Sequence, residues 1–130
     1  AIENHDRFPA RVLREIARDS GSLVVLDTAN SLGSLEGTET VASVLGDLVV
    51  CLHVKDVRPR RVPSQMGFTI DGTAAGEGTV DWPLVFSHLT DRCESCVLET
   101  WASDPADEYA MSERGWAWLR TQSLAAASRP

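Results

Sequence analysis

The chain lacks most of the features that mark a special environment. No stretch of about 18 consecutive apolar residues occurs in its 130 positions, so no membrane span is expected. It opens on Ala1-Ile2-Glu3-Asn4, not on a basic segment followed by an apolar core. No secretory leader is therefore read, and the chain reads as though it starts inside a strand. Its three cysteines are too few, and odd in number, for a disulfide framework, which points to a reducing cytoplasm. Positive charge is also scarce. Twelve Lys and Arg face nineteen Asp and Glu, for a net charge of −7, and the only basic cluster is Arg58, Arg60 and Arg61. A phosphate backbone calls for clustered cations, so nucleic acid is not an expected partner.

The remainder is an ordinary soluble composition, 43% hydrophobic and 24% charged, with the length of one domain. Short aliphatic runs alternate with amphipathic stretches. Ser22–Leu26, Leu48–Leu52 and Cys96–Leu98 are nearly continuous apolar runs, as expected of parallel strands covered on both faces. Between them, Pro9–Ser20 puts Val12, Leu13, Ile16 and Ala17 on one stripe, with Gly21 as its C-terminal cap. Thr38–Leu45 is a second helix. Asp81 caps a third that runs to Leu89, and Asp104-Pro105 starts a last one. The Ala-rich end, 124–130, is expected to fray. The reading is α/β, repeated β/α units with parallel strands. Residues 57–80, with four glycines, form the longest irregular stretch, and loops of that length are often functional.

Each strand ends in a residue able to bind a metal. Asp27, His53 and Glu99 stand where an apolar run gives way to a polar loop, and Glu3 does so after the short run Ala1-Ile2. In a parallel barrel all C-terminal strand ends meet on one face, so residues distant in sequence could surround one ion. Three carboxylates and an imidazole favour Mn²⁺, Mg²⁺ or Co²⁺ over a thiolate-seeking metal. Strand parity adds His5 on the side of Glu3, Lys55 on that of His53, and Trp101 on that of Glu99. Such a mouth suits a small polyhydroxy carbonyl compound. Taken singly, each residue has a plainer reading. A strand-end Asp is often a turn residue, a lone His is often structural, and Lys55 can form a salt bridge with a loop carboxylate.

Five segments in order, Glu3-Asn4-His5, Leu26-Asp27-Thr28-Ala29-Asn30, His53-Val54-Lys55-Asp56, Gly76-Glu77-Gly78-Thr79-Val80-Asp81-Trp82 and Val97-Leu98-Glu99, resemble the sugar phosphate isomerase/epimerase family of the xylose-isomerase-like TIM barrel superfamily. The resemblance covers nearly the whole chain but only strands five to eight of such a barrel. It implies that residues 1–130 are a C-terminal half barrel and that 57–80 is an active-site loop. It also implies that Glu3, Asp27, His53 and Glu99 hold one divalent metal, Mn²⁺ foremost. Glu3 and Glu99 would then move a proton beside a carbonyl, through an enediolate that the cation stabilises. The implied activity is an isomerase or epimerase of a keto-sugar or sugar acid, with a small sugar as partner and Asn30 and Lys55 beside it; strand parity sets His5 and Trp101 at the same mouth, and Arg58 either grips a substrate phosphate or carboxylate or sits in a solvated loop. Asn30 stands where many relatives carry histidine. The Asp-Thr-Ala-Asn form and Met66-Gly67-Phe68 look like a subgroup that includes decarboxylases of oxidised branched sugars, so a lyase on the same site is the alternative.

Other signals are set aside. Cys93-Glu94-Ser95-Cys96 cannot complete a four-ligand zinc site and is read as structural. Gly76-Glu77-Gly78 lacks the third glycine and helix of a dinucleotide fingerprint. Trp82, Trp116 and Trp118 are read as packing. An apurinic-site endonuclease, which shares the barrel, needs more histidines than His5, His53 and His88. A complete barrel takes about 250 residues. A half would leave open edges and an apolar face, so self-association, the missing N-terminal half, or an inactive fragment is also in view.

Overall fold

The computed structural model describes residues 1–64 and 66–127, with 123–127 described by backbone alone. It falls into two compact units, residues 1–54 with 80–97, and residues 55–79 with 98–130. The expectation of fraying over 124–130 falls partly outside the described residues. The last helix continues through Ala127.

The first unit is built on a four-stranded parallel sheet in the order β1 (Ile2–Glu3), β2 (Val24–Asp27), β3 (Val49–Val54) and β6 (Ser95–Leu98). Each strand lies beside the one before it in this sheet, with a helix in each connection. Helix α1 covers Ala10–Ser20, α2 Thr38–Leu45 and α3 Trp82–His88. That arrangement is compatible with part of a (β/α) barrel.

The helices start and stop where local chemistry directs. Pro9 occupies the cap position of α1, so the helix starts one residue later than expected, and Gly21 closes it at φ 66°, a left-handed conformation that costs glycine little. The Asp81 carboxylate accepts from the Leu84 N–H at 3.1 Å and caps α3 as the sequence suggests. Arg14 of α1 donates to the Val44 carbonyl and grips Asp47 with both terminal guanidinium nitrogens, tying α1 to the end of α2. The core is aliphatic. Leu13, Ala17, Val24, Leu26, Val41, Leu45, Val49 and Val85 are all buried. From Cys51 to Val54 burial alternates, with Leu52 and Val54 fully covered and Cys51 and His53 only partly so.

The second unit corrects one expectation. Residues 57–80 are not irregular throughout. Strands β4 (Asp56–Arg61) and β5 (Phe68–Thr73) form an antiparallel ribbon, closed by a Val62 N–H to Gly67 carbonyl bond at 2.9 Å. Glycine and proline suggested a loop. Thr69, Ile70 and Thr73 supply strand propensity, and Pro59 lies in an edge strand, where a missing N–H is tolerated. After the ribbon comes a tight turn around Gly76, at φ 85°. A Cβ at Gly76 would lie 2.5 Å from the Trp118 indole, so this turn needs glycine twice over. Helix α4 (Glu108–Ala127) follows a 3₁₀ turn that Asp104 caps. Of the three tryptophans read as packing, Trp82 is buried and Trp118 lies against Gly76, but Trp116 is 53% exposed.

Candidate metal centre

The first unit brings together three of the four residues proposed as metal ligands. Glu3, Asp27 and His53 each offer a donor atom, and these donors all lie within 4.8 Å of one another. His53 Nδ1 is 3.4 Å from Glu3 Oε1 and 4.0 Å from Asp27 Oδ2.

Register makes this possible. β2 and β3 pair with Val24 opposite Val49, then Val25 opposite Cys51, so one residue of β3 is skipped. The pairing then runs Leu26 to Leu52 and Asp27 to His53. Without that irregularity Asp27 would lie beside Leu52. A one-residue offset in a strand exchanges its two faces.

Asp27 is fully buried, where an ionised carboxylate must be compensated. Its Oδ1 accepts from the backbone N–H groups of Ala29 at 2.8 Å and Asn30 at 2.9 Å, leaving Oδ2 nearer His53. The Asn30 side chain donates to Glu3 Oε1 at 3.0 Å and to the Asn4 carbonyl at 3.3 Å, so it orients a candidate ligand. Asn4, 1% exposed, is a residue that sequence reasoning did not single out. Its amide donates to the Asp27 carbonyl and to Ser31 Oγ, each at 2.9 Å, and its Oδ1 accepts from the Asp27 N–H at 2.7 Å. Thr28 is held in a similar way. Its N–H and hydroxyl both reach the His53 carbonyl at 3.2 Å, and its own carbonyl accepts from Thr38 Oγ1 at 2.6 Å. The Asp27 and Glu3 carboxylates thus rest on partners that orient them, and Thr28 ties the backbone of His53 to the end of β2, as metal sites require.

The residues fit a divalent cation. Two donors on one ion at bond lengths of roughly 2.1–2.4 Å can be at most about 4.8 Å apart. Two carboxylates and one imidazole are a borderline-to-hard donor set.

Of the other expected site residues, Asn30 bonds Glu3 as described. His5 is exposed and bonded to Asp6 at 2.5 Å. The remaining four, Lys55, Arg58, Glu99 and Trp101, belong to the second unit. There Lys55 Nζ is 2.7 Å from Glu99 Oε2, matching the plainer reading of Lys55 as a salt-bridge partner. Arg58 donates to the Glu77 carbonyl, and Trp101 is 72% exposed. Asp56, also missed, is 3% exposed and accepts from three backbone N–H groups, Val57 at 2.9 Å, Gly76 at 2.9 Å and Gly78 at 3.0 Å. It pins the glycine turn to the base of the ribbon. The four-residue run His53–Asp56 hinted at it, but only the folded turn shows why an acid is needed. All three cysteines are free thiols. Burial, and after it the neighbouring Cys51, pushes the Cys93 and Cys96 thiols up, away from the reactive thiolate form.

A parallel α/β unit with carboxylates and an imidazole gathered at its strand ends defines a class: α/β proteins with a potential divalent-metal site at the carboxyl end of a sheet. No family model matches the chain. A curated relative does: 3-oxo-isoapionate decarboxylase from Pectobacterium atrosepticum is 27% identical over 122 residues, covering 88% of this chain and 44% of the relative. The chain therefore spans less than half the length of that enzyme. Among the described residues no helix is long and apolar enough to cross a membrane.

Proposed function

We propose that this chain carries part of the active site of a divalent-metal-dependent enzyme that decarboxylates an oxidised, sugar-derived keto acid. The observation that carries the reading is the Glu3–Asp27–His53 cluster, together with the chemistry in the relative's name. Mn²⁺ is the ion assigned, with Mg²⁺ and Co²⁺ as substitutes. When bound, the cation supplies electron withdrawal from a substrate carbonyl.

The chain's own residues supply the rest. Glu3, Asp27 and His53 would hold the ion, and Asn30 keeps Glu3 aimed. In the reaction the bond to the carboxylate carbon breaks, carbon dioxide leaves, and the electron pair remains on the substrate carbon. That carbon must then take up a proton. The hydrogen-bonded Lys55–Glu99 pair is a candidate donor. Glu99 enters this reading from its place in the motif set, as does its role as a fourth ligand. Asn30 is assigned to the substrate from its motif, His5 and Trp101 from strand parity, and Arg58 from its charge.

A second reading, isomerase or epimerase, is favoured by the resemblance of all five motifs to the sugar phosphate isomerase/epimerase family. There Glu3 and Glu99 remove and return a proton next to the carbonyl. Both readings place a sugar-derived small molecule in the site and neither involves nucleic acid.

Calorimetric titration with Mn²⁺ tests the centre. One ion per chain is expected, with affinity weakened by roughly tenfold or more in His53→Ala. Unchanged affinity in that variant overturns the ligand assignment. Carbon dioxide release from a panel of 3-oxo sugar acids separates the chemistries. Metal-dependent release supports decarboxylation, and aldose–ketose interconversion without release supports isomerisation. Glu99→Gln is expected to keep the fold and lose turnover, and full activity would refute its proton-transfer role.

A further inference from the structure

Asn30 touches two of the three residues of the metal centre. It opens the 3₁₀ turn Asn30–Ser34, which follows β2 after Thr28 and Ala29. The N–H groups at the start of a helical turn have no acceptor inside it. Those of Ala29 and Asn30 turn back to the Asp27 carboxylate, at 2.8 and 2.9 Å, and both fall on Oδ1. A carboxylate oxygen offers two lone-pair sites, and these two donors fill those of Oδ1. Asp27 can therefore present a cation with Oδ2 alone, the oxygen 4.0 Å from His53 Nδ1.

The side chain of Asn30 acts on the other acid. Its Nδ2 donates to Glu3 Oε1 at 3.0 Å, and that oxygen lies 3.4 Å from His53 Nδ1. For Glu3 to chelate with two oxygens its carboxylate would have to rotate until both faced the ion. The bond from Asn30 opposes that rotation. The same Nδ2 donates to the carbonyl of buried Asn4 at 3.3 Å, so the amide is itself anchored and what it can offer a substrate is its oxygen. Glu3 is exposed and has rotamer freedom to lose, which makes the tether count.

We propose that Asn30 sets the ion preference of this centre: by holding both carboxylates as one-oxygen ligands it favours compact six-coordinate cations such as Mn²⁺ and Mg²⁺ over Ca²⁺. This rests on the reading of Glu3, Asp27 and His53 as ligands. Ca²⁺ takes about six to eight oxygens at roughly 2.3–2.6 Å and readily accepts chelating carboxylates, whereas Mg²⁺ demands near-octahedral geometry at about 2.0–2.1 Å. One oxygen from each acid and one imidazole nitrogen make half the complement of a six-coordinate ion and a smaller share of what Ca²⁺ requires. The nitrogen also suits Mn²⁺ better than Ca²⁺. Alanine at position 30 keeps the backbone N–H on Asp27 and removes the bond to Glu3. Glu3 can then turn and chelate, which adds an oxygen that Ca²⁺ uses and a compact ion does not.

Competition between the ions tests this. Ca²⁺ is titrated against the Mn²⁺-loaded protein, and released Mn²⁺ is read by electron paramagnetic resonance. In Asn30→Ala the preference for Mn²⁺ over Ca²⁺ is expected to narrow by about tenfold. Far-UV circular dichroism should match the parent. Should alanine fail to fold, Asn30→Ser reads the same effect, because its hydroxyl is too short to replace the amide. A residue that only supported the turn would weaken both ions by one factor, so an unchanged preference overturns the proposal. A preference that widens overturns it too. A parent protein that takes up no Mn²⁺ overturns the ligand assignment and this proposal together, whereas normal uptake with an unaltered preference in the variant overturns this proposal alone.

Discussion

Replacing Asn4 by alanine is the sharpest probe of how the centre is held. The side chain is 1% exposed and makes three hydrogen bonds, two of them to the backbone of Asp27. Alanine removes the acceptor for the Asp27 N–H and the donor for the Asp27 carbonyl and Ser31 Oγ. A buried donor left unmatched costs about 1–3 kcal/mol, and each further bond lost costs about 1 kcal/mol. The expected loss is about 3 kcal/mol. For a domain of this length that lowers Tm by roughly 10 °C. Urea unfolding followed by tryptophan fluorescence measures it directly. A loss under about 0.5 kcal/mol, the level of an inert surface change, would refute the claim that Asn4 clamps Asp27. Asn4→Asp sharpens the test. It keeps the acceptor but turns an anion on the Asp27 carbonyl, so the new carboxyl should titrate above its unfolded value. A group of that kind binds a proton more tightly when folded, so the variant should regain stability as pH falls, which alanine should not.

Two other outcomes are expected. Gly76→Ala requires a left-handed residue and a Cβ 2.5 Å from the Trp118 ring, so thermal unfolding should show a loss of about 1–3 kcal/mol; a neutral result would mean the turn is not held as described. The Asp47 carboxyl is lowered chiefly by its hydrogen bond to Arg14, so its contribution to stability is full above the unfolded value and is lost as pH falls through the folded one. Asp47→Asn should therefore be less stable than the parent at pH 6, with the gap closing at lower pH, and a gap independent of pH would refute the linkage.

Much of the architecture is written locally. The apolar runs at Val24, Val49 and Ser95 and the stripes of α1 and α2 follow short periods that need no distant partner to be recognised. Caps at Gly21, Asp81 and Asp104 are likewise set by neighbours in sequence. The ribbon escaped notice because its glycines and Pro59 speak for a loop, while pairing between Asp56–Arg61 and Phe68–Thr73 is a non-local event. Trp116 escaped because its spacing is helical whether its side of α4 is covered or open. Lys55 illustrates a different limit. Its type allowed a substrate role or a salt bridge, and the fold supplied Glu99 at 2.7 Å.

The sequence by itself determined the donor types and put them at the ends of strands, because hydrophobic period and chain polarity are properties of short windows. Only the tertiary structure decided that Glu3, Asp27 and His53 share one locus. Their approach depends on the register of parallel strands, and on the single skipped residue opposite Val24 and Val25 that brings Asp27 level with His53. Register is settled by the fit of whole faces against the core, which no short stretch of residues records.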